Sequence, residues 1–220
     1  MNAAFHKLAP ALVLKQMPET FRSFMLTDGY TEEQLGKDAD LPDTTDKDNL
    51  TQNSEIHHAH SYKLEMKDGQ LKWIDGDALE RLKGLAADAH DFNAEGKLEM
   101  VRYCLAKMTH YIIDGSGPTY PHLHRGKPWS EYHEKFEKQM GFFISAHAQE
   151  IGPLTFHVSS DLYKRARATA FIGWSEGLEV VKDYQANGGI SQEKALHICR
   201  FALQNIGDIW TTIATEMKII

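Results

Sequence analysis

Apolar positions recur at helical intervals along almost the whole chain. In GKLEMVRYCLAKMTHYIID, residues 96–114, Met100, Cys104, Leu105, Met108, Tyr111 and Ile112 form one stripe. That stripe predicts a helix from Gly96 to Ile113, and the GSGP that follows is a stop signal. DALERLKGLAADAHDFN predicts a helix over 77–93, and Ser130 is placed to cap another that starts SEYHEKFEKQMGFFI. Two more are expected after Pro153, over 161–185 and 191–217, divided by the NGG break. The chain opens on HKLAPALVLKQMPETFRSFML, also apolar at helical intervals but interrupted by Pro10 and Pro18. GKDADLPDTTDKDNLTQNSE is rich in Asp, has almost nothing to bury, and reads as a long loop. Period-two alternation is nearly absent; KLEMKDGQLKWI allows one hairpin about Asp68-Gly69. The expected class is all-α, with roughly six or seven helices in one helical domain spanning 1–220.

Composition changes this picture in a few places. At 220 residues and 42% hydrophobic, the chain is long enough for one sizeable core. Its net charge of −7 argues against a general nucleic-acid binder that neutralises phosphate with its own lysines and arginines. An enzyme that grips phosphate through bound cations stays open, because metal charge never enters that count. Cys104 and Cys199 fall in helical patterns and read as buried thiols rather than a disulfide. No apolar run is long enough for a transmembrane helix. The N-terminal MNAAFHKLAP lacks the basic and apolar regions of a signal peptide, as a mature secreted chain would.

The twelve histidines are the feature that needs a reason. HYIID, residues 110–114, and HEKFE, residues 133–137, each place a carboxylate four residues after a histidine. On a helix that spacing puts both side chains on one face, so His110 projects with Asp114 and His133 with Glu137. Between the pairs, YPHLH adds His122 and His124; upstream stand His6, the acidic stretch with Asp43, and HHAH at 57–60. Imidazole mixed with carboxylate is the donor set of zinc, and clustered acids gain from a cation among them. KRARATA at 164–170 reads as a solvated basic face, and His90, His147, His157 and His197 as surface or packing residues. Trp129, Trp174 and Trp210 read as core anchors.

An early His, a Pro-Asp, a His fourteen residues on, H-x3-D, a further His and H-x3-E together resemble the zinc-dependent phospholipase C / P1 nuclease family. The match covers most of the chain at thin overall identity; ALQNIGDIW is also similar to the family's last helix. The resemblance implies a mostly helical fold holding two or three Zn2+ ions. It implies metal ligation by His6, Asp43, His57 or His58, His110, Asp114, His122 or His124, His133 and Glu137. Asp43 would also be the catalytic residue that orients, or takes a proton from, a metal-activated water. Where the family begins with a ligating tryptophan this chain has Met1, whose backbone would take that place. Where the family has a histidine six residues after the central Asp, this chain has Tyr120.

The implied activity is hydrolysis of a phosphodiester. HEKFE resembles the last ligand pair of the bacterial phospholipases C, whereas the nucleases usually end that motif in Asp. A phospholipid head group is therefore favoured as substrate over single-stranded nucleic acid. The alternatives are a P1-type single-strand nuclease/3′-nucleotidase and a helical metal-binding protein without turnover. The resemblance also implies secretion.

Overall fold

The computed structural model describes residues 3–49, 62–126 and 129–220, with side chains except at 3, 43–49, 75, 123 and 124. Among these residues there are eight α-helices and one two-stranded hairpin. α1 (Ala3–Leu14), α2 (Glu19–Met25) and α3 (Glu32–Asn49) lead into strands β1 (Lys63–Lys67) and β2 (Gln70–Asp75). α4 (Ala78–Ala94) and α5 (Leu98–Ser116) follow. A 3-10 turn (Tyr120–Arg125) then precedes α6 (Trp129–His147), α7 (Leu162–Asn187) and α8 (Gln192–Glu216). The all-α class is observed.

α5 is the centre of the fold. It packs against α1, α3, α4, α7 and α8, so most of its circumference is buried, including Arg102, Thr109, His110 and Asp114. A helix buried on this many sides has no solvated face for polar groups, and each must find a partner inside. Arg102 does so through the Phe24 carbonyl at 3.3 Å and Asp28 at 3.3 Å. On α8, Trp210 is fully buried and its indole N–H donates to the Leu105 carbonyl at 3.0 Å, tying the two helices together.

The stretch read as a long acidic loop is helical from Glu32 to Asn49, with Pro42 inside. Two things overrule its composition. Thr31 Oγ1 accepts from the Gln34 N–H at 3.1 Å, a cap followed by Glu32 and Glu33 in the first turn. Leu35 and Ala39, four residues apart, are fully buried. The acids that argued for a loop are held: Asp38 accepts from Tyr30 (2.6 Å) and Gln34 (2.7 Å), and Asp40 pairs with Lys7 (3.2 Å). Gly36 lets α3 lie directly on α1, since a Cβ there would stand 2.6 Å from the Lys7 carbonyl oxygen.

The hairpin forms where expected. Asp68 (φ 53°) and Gly69 (φ 71°) both take left-handed backbone, the two-residue turn that matches strand twist. Asp161 and Ser191 cap α7 and α8 by accepting from the Lys164 and Lys194 N–H groups. Gly188 (φ 75°) ends α7 in the NGG break. No helix among the described residues is long and apolar enough to cross a membrane.

Candidate metal centre

α1 turns its apolar face, Phe5, Ala9 and Val13, into the core, and His6 goes in beside Phe5. α5 brings His110 and Asp114 to meet it. His110 Nε2 lies 3.3 Å from Asp114 Oδ2, and His6 Nε2 lies 3.4 Å from Asp114 Oδ1. The two imidazoles stack with centroids 4.1 Å apart. One donor atom from each of the three residues falls within 4.8 Å of the others, and all three side chains are buried.

The rings are oriented as a metal would need them. His110 Nδ1 faces the Ala39 carbonyl at 3.1 Å; a carbonyl only accepts, so Nδ1 carries the hydrogen. Nε2 is then the nitrogen that faces the Asp114 carboxylate. Neither ring nitrogen of His6 makes a hydrogen bond among the described residues. Burial, and then the charge of His110, push the His6 pKa down to about 4, against the opposing pull of Asp114. Burial alone would raise Asp114; neighbouring positive charge, that of His110 included, outweighs it and holds the carboxyl well below its usual range. One nitrogen from each imidazole and the Asp114 carboxylate thus converge in a dry interior. That arrangement is costly when empty and favourable around a divalent cation. Three ligands of this type, one oriented by a backbone carbonyl, fit zinc with a coordination position left open.

His133 and Glu137 form the second pair on α6, with Nε2 and Oε1 3.2 Å apart. Burial works against ionisation of Glu137, yet hydrogen bonding and charge from His133 bring its pKa down to about 2. His133 Nδ1 meets the buried Thr119 hydroxyl at 2.9 Å. Tyr120 sets its ring edge-on to His133 at 5.4 Å and to Tyr62 at 6.5 Å. His122 is fully buried, with Nε2 2.8 Å from the Trp174 carbonyl and its ring stacked 4.1 Å from Trp129. Gly177 on α7 makes room for it: a Cβ there would stand 2.7 Å from His122 Cδ2 and 2.0 Å from the Pro118 oxygen. Among the described residues His122 does not join His133 and Glu137 in a ligand group; that convergence occurs at His6, His110 and Asp114. Met1, His57 and His58, and the side chains of Asp43 and His124, lie outside the described residues. The α3 backbone carries Asp43 one turn beyond Ala39, whose carbonyl orients His110.

The chain is similar in fold to the alpha-toxin of Clostridium perfringens. The likeness to the crystal structure of that toxin from avian strain SWCP has a TM-score of 0.57 at 16% sequence identity. It covers 99% of this chain and 64% of the toxin chain, so the protein spans under two thirds of the toxin's length. No family model matches the chain, and no curated protein matches it. What is shared with the toxin is the helical fold.

Three contacts around the centre had no signal in the sequence. Ala39 acts through its main chain, and Thr119 through one hydroxyl in a loop. Tyr62 donates to the Tyr111 carbonyl at 2.6 Å and lies on Gly115, where a Cβ would stand 2.9 Å from the ring. Three further histidines pair at the surface: His90 with Glu216 (3.0 Å), His147 with Glu150 (2.7 Å), His197 with Glu176 (3.0 Å). Arg165 of the basic stretch pairs with the buried Asp208 rather than facing only solvent. Cys104 and Cys199 are free buried thiols, pushed up by burial to about 11 and about 12.

Proposed function

We propose that the protein is a zinc-dependent phosphodiester hydrolase of the phospholipase C type. The observation that supports this reading is the buried convergence of His6, His110 and Asp114, a donor set that fits zinc, within a fold like that of the alpha-toxin. Zinc held there would supply Lewis acidity toward a phosphoryl oxygen and lower the pKa of a water molecule to near neutrality.

The protein's own part is to hold and orient. Asp114 provides the anionic ligand shared between His6 and His110. The Ala39 carbonyl keeps the His110 proton on Nδ1. His57 or His58 would complete this group, and Asp43 would orient the attacking water or take its proton. His133 and Glu137, with His124, would hold a further ion, for two or three in all. The favoured substrate is a phospholipid head group ester, because H-x3-E at 133–137 resembles the phospholipases more than the nucleases.

Metal analysis of protein purified without chelator, joined to turnover of phospholipid vesicles and of single-stranded DNA, tests this. Zinc bound at two or three per chain with lipid turnover, abolished by Asp43→Asn while zinc is retained, is the expected result. Turnover of DNA alone would replace the lipid by a nucleic acid. Zinc without turnover of either would leave a metal-binding protein.

A further inference from the structure

The two histidine–carboxylate pairs look alike from the ligand side and differ behind it. His110 is backed by a carbonyl, at 3.1 Å from Ala39. His133 is backed by a hydroxyl, at 2.9 Å from Thr119. A carbonyl only accepts, whereas a hydroxyl both donates and accepts. The His110 hydrogen is therefore fixed on Nδ1, and Nε2 is the nitrogen turned to the ligand side. His133 is not so held.

We propose that Thr119 is the positioning residue of His133, and that its hydroxyl reverses direction as the imidazole changes tautomer on metal binding. In the metal-free protein the Glu137 carboxylate lies 3.2 Å from His133 Nε2 and can only accept, so the ring keeps its hydrogen on Nε2 and takes one from Thr119 at Nδ1. When Nε2 becomes a ligand, the hydrogen moves to Nδ1 and Thr119 accepts it. No proton is gained or lost by the ring; the hydroxyl turns by rotation about its C–O bond. This inference rests on His133 and Glu137 holding zinc.

Placement supports the role. Thr119 is fully buried, between the end of α5 and the 3-10 turn. Its carbonyl accepts from the His122 N–H at 3.2 Å while its side chain reaches His133. One residue thus joins the turn that carries His122 to the helix that carries the second pair. Tyr120 closes against the His133 ring from the side, leaving Thr119 as the group that meets Nδ1 among the described residues.

The test is the tautomeric state of the histidines, read by nitrogen-15 NMR on side-chain-labelled protein without metal and through a zinc titration. Thr119→Ser and Thr119→Val are compared with the parent. Expected for parent and Thr119→Ser is a metal-free His133 with hydrogen on Nε2 that shifts to Nδ1 with zinc, while His110 stays on Nδ1 throughout. Thr119→Val should mix the metal-free His133 tautomers and weaken zinc at this pair by about ten- to a hundredfold, the usual loss for an outer-sphere partner. His110 should be unmoved, which separates the effect from general damage to the fold. A Thr119→Val protein with the parent's His133 tautomer and zinc affinity overturns the proposal. A change of metal-free tautomer in Thr119→Val, with no zinc response at His133 in the parent, keeps the positioning role and overturns zinc binding at this pair.

Discussion

The rings of His6 and His110 lie face to face, 4.1 Å between centroids and 27° from parallel, although 104 positions separate them in the chain. An imidazolium in this position would repel its neighbour, and the charge of His110 is one cause that depresses His6. The stack therefore belongs to a state in which His6 is neutral and free to serve as a ligand. Both rings turn Nε2 toward one carboxylate, Asp114.

Removing that carboxylate should remove the response to zinc. A ligand that binds only the folded state stabilises it by about 4 kcal/mol at a thousandfold excess over its dissociation constant. The parent, stripped of metal and then given zinc, should shift its denaturant midpoint accordingly. Asp114→Asn should lose most of that shift. An equal zinc shift in both proteins would mean that the ion sits elsewhere.

The same buried groups set a pH dependence for the metal-free protein. His6 has its folded pKa lowered from 6.5 to about 4. Between those values the unfolded chain takes up a proton that the folded chain refuses, so stability falls as pH falls, by at most about 1.4 kcal/mol per unit. Asp114, held well below 3.8, acts in the same sense further down: its contribution is present above that pH and is lost in stronger acid. Urea midpoints of metal-free protein at several pH values between 7 and 4 check the sign. His6→Gln, which cannot titrate, should flatten the slope; an unchanged slope would put the proton uptake at another group.

Gly177 is the point where α7 admits the 3-10 turn. With a Cβ expected 2.0 Å from the Pro118 oxygen and 2.7 Å from His122, Gly177→Ala cannot be absorbed without moving the turn. Overpacking of this kind costs about 1–3 kcal/mol. Thermal unfolding should shift downward, and the tryptophan emission from Trp129 and Trp174 beside His122 should change with it. A variant with the parent's melting temperature would show that the turn yields freely.

The helices that build the core were legible because they carry long apolar stripes: α4, α5, α7 and α8 begin and end within a few residues of the expected bounds. α3 was not legible. Its apolar positions are sparse, and its stability comes from partners in other elements that meet Asp38 and Asp40. Thr31 with Gln34 three residues on was a usable capping signal. At the centre, spacing within α5 and α6 was enough to pair His110 with Asp114 and His133 with Glu137. Spacing carried no information about which imidazole would be backed by a carbonyl and which by a hydroxyl, or that His122 would turn Nε2 to the Trp174 carbonyl. Those choices are made by main-chain atoms of distant segments.

A last expectation concerns how α8 holds the extended segment between α6 and α7. Gln204, Asp208 and Thr212 stand four apart on one face and meet that segment in order. Gln204 donates to the Thr155 carbonyl at 2.7 Å, Asp208 accepts from the His157 N–H at 2.7 Å, and Thr212 from the Ser159 N–H at 2.8 Å. Phe156 fits over Gly207, where a Cβ would stand 2.1 Å from its ring. Asp208 is buried and is also the partner of Arg165. Asp208→Ala would leave the His157 N–H without its acceptor and the Arg165 guanidinium with Asn205 alone, at a cost of about 1–3 kcal/mol. Hydrogen exchange should then accelerate first at His157 and Ser159, ahead of the α5 amides, because the segment's backbone is held by α8 side chains and α5 by its own helix ladder. Uniform acceleration across both would mean that Asp208 supports the whole fold rather than this strap.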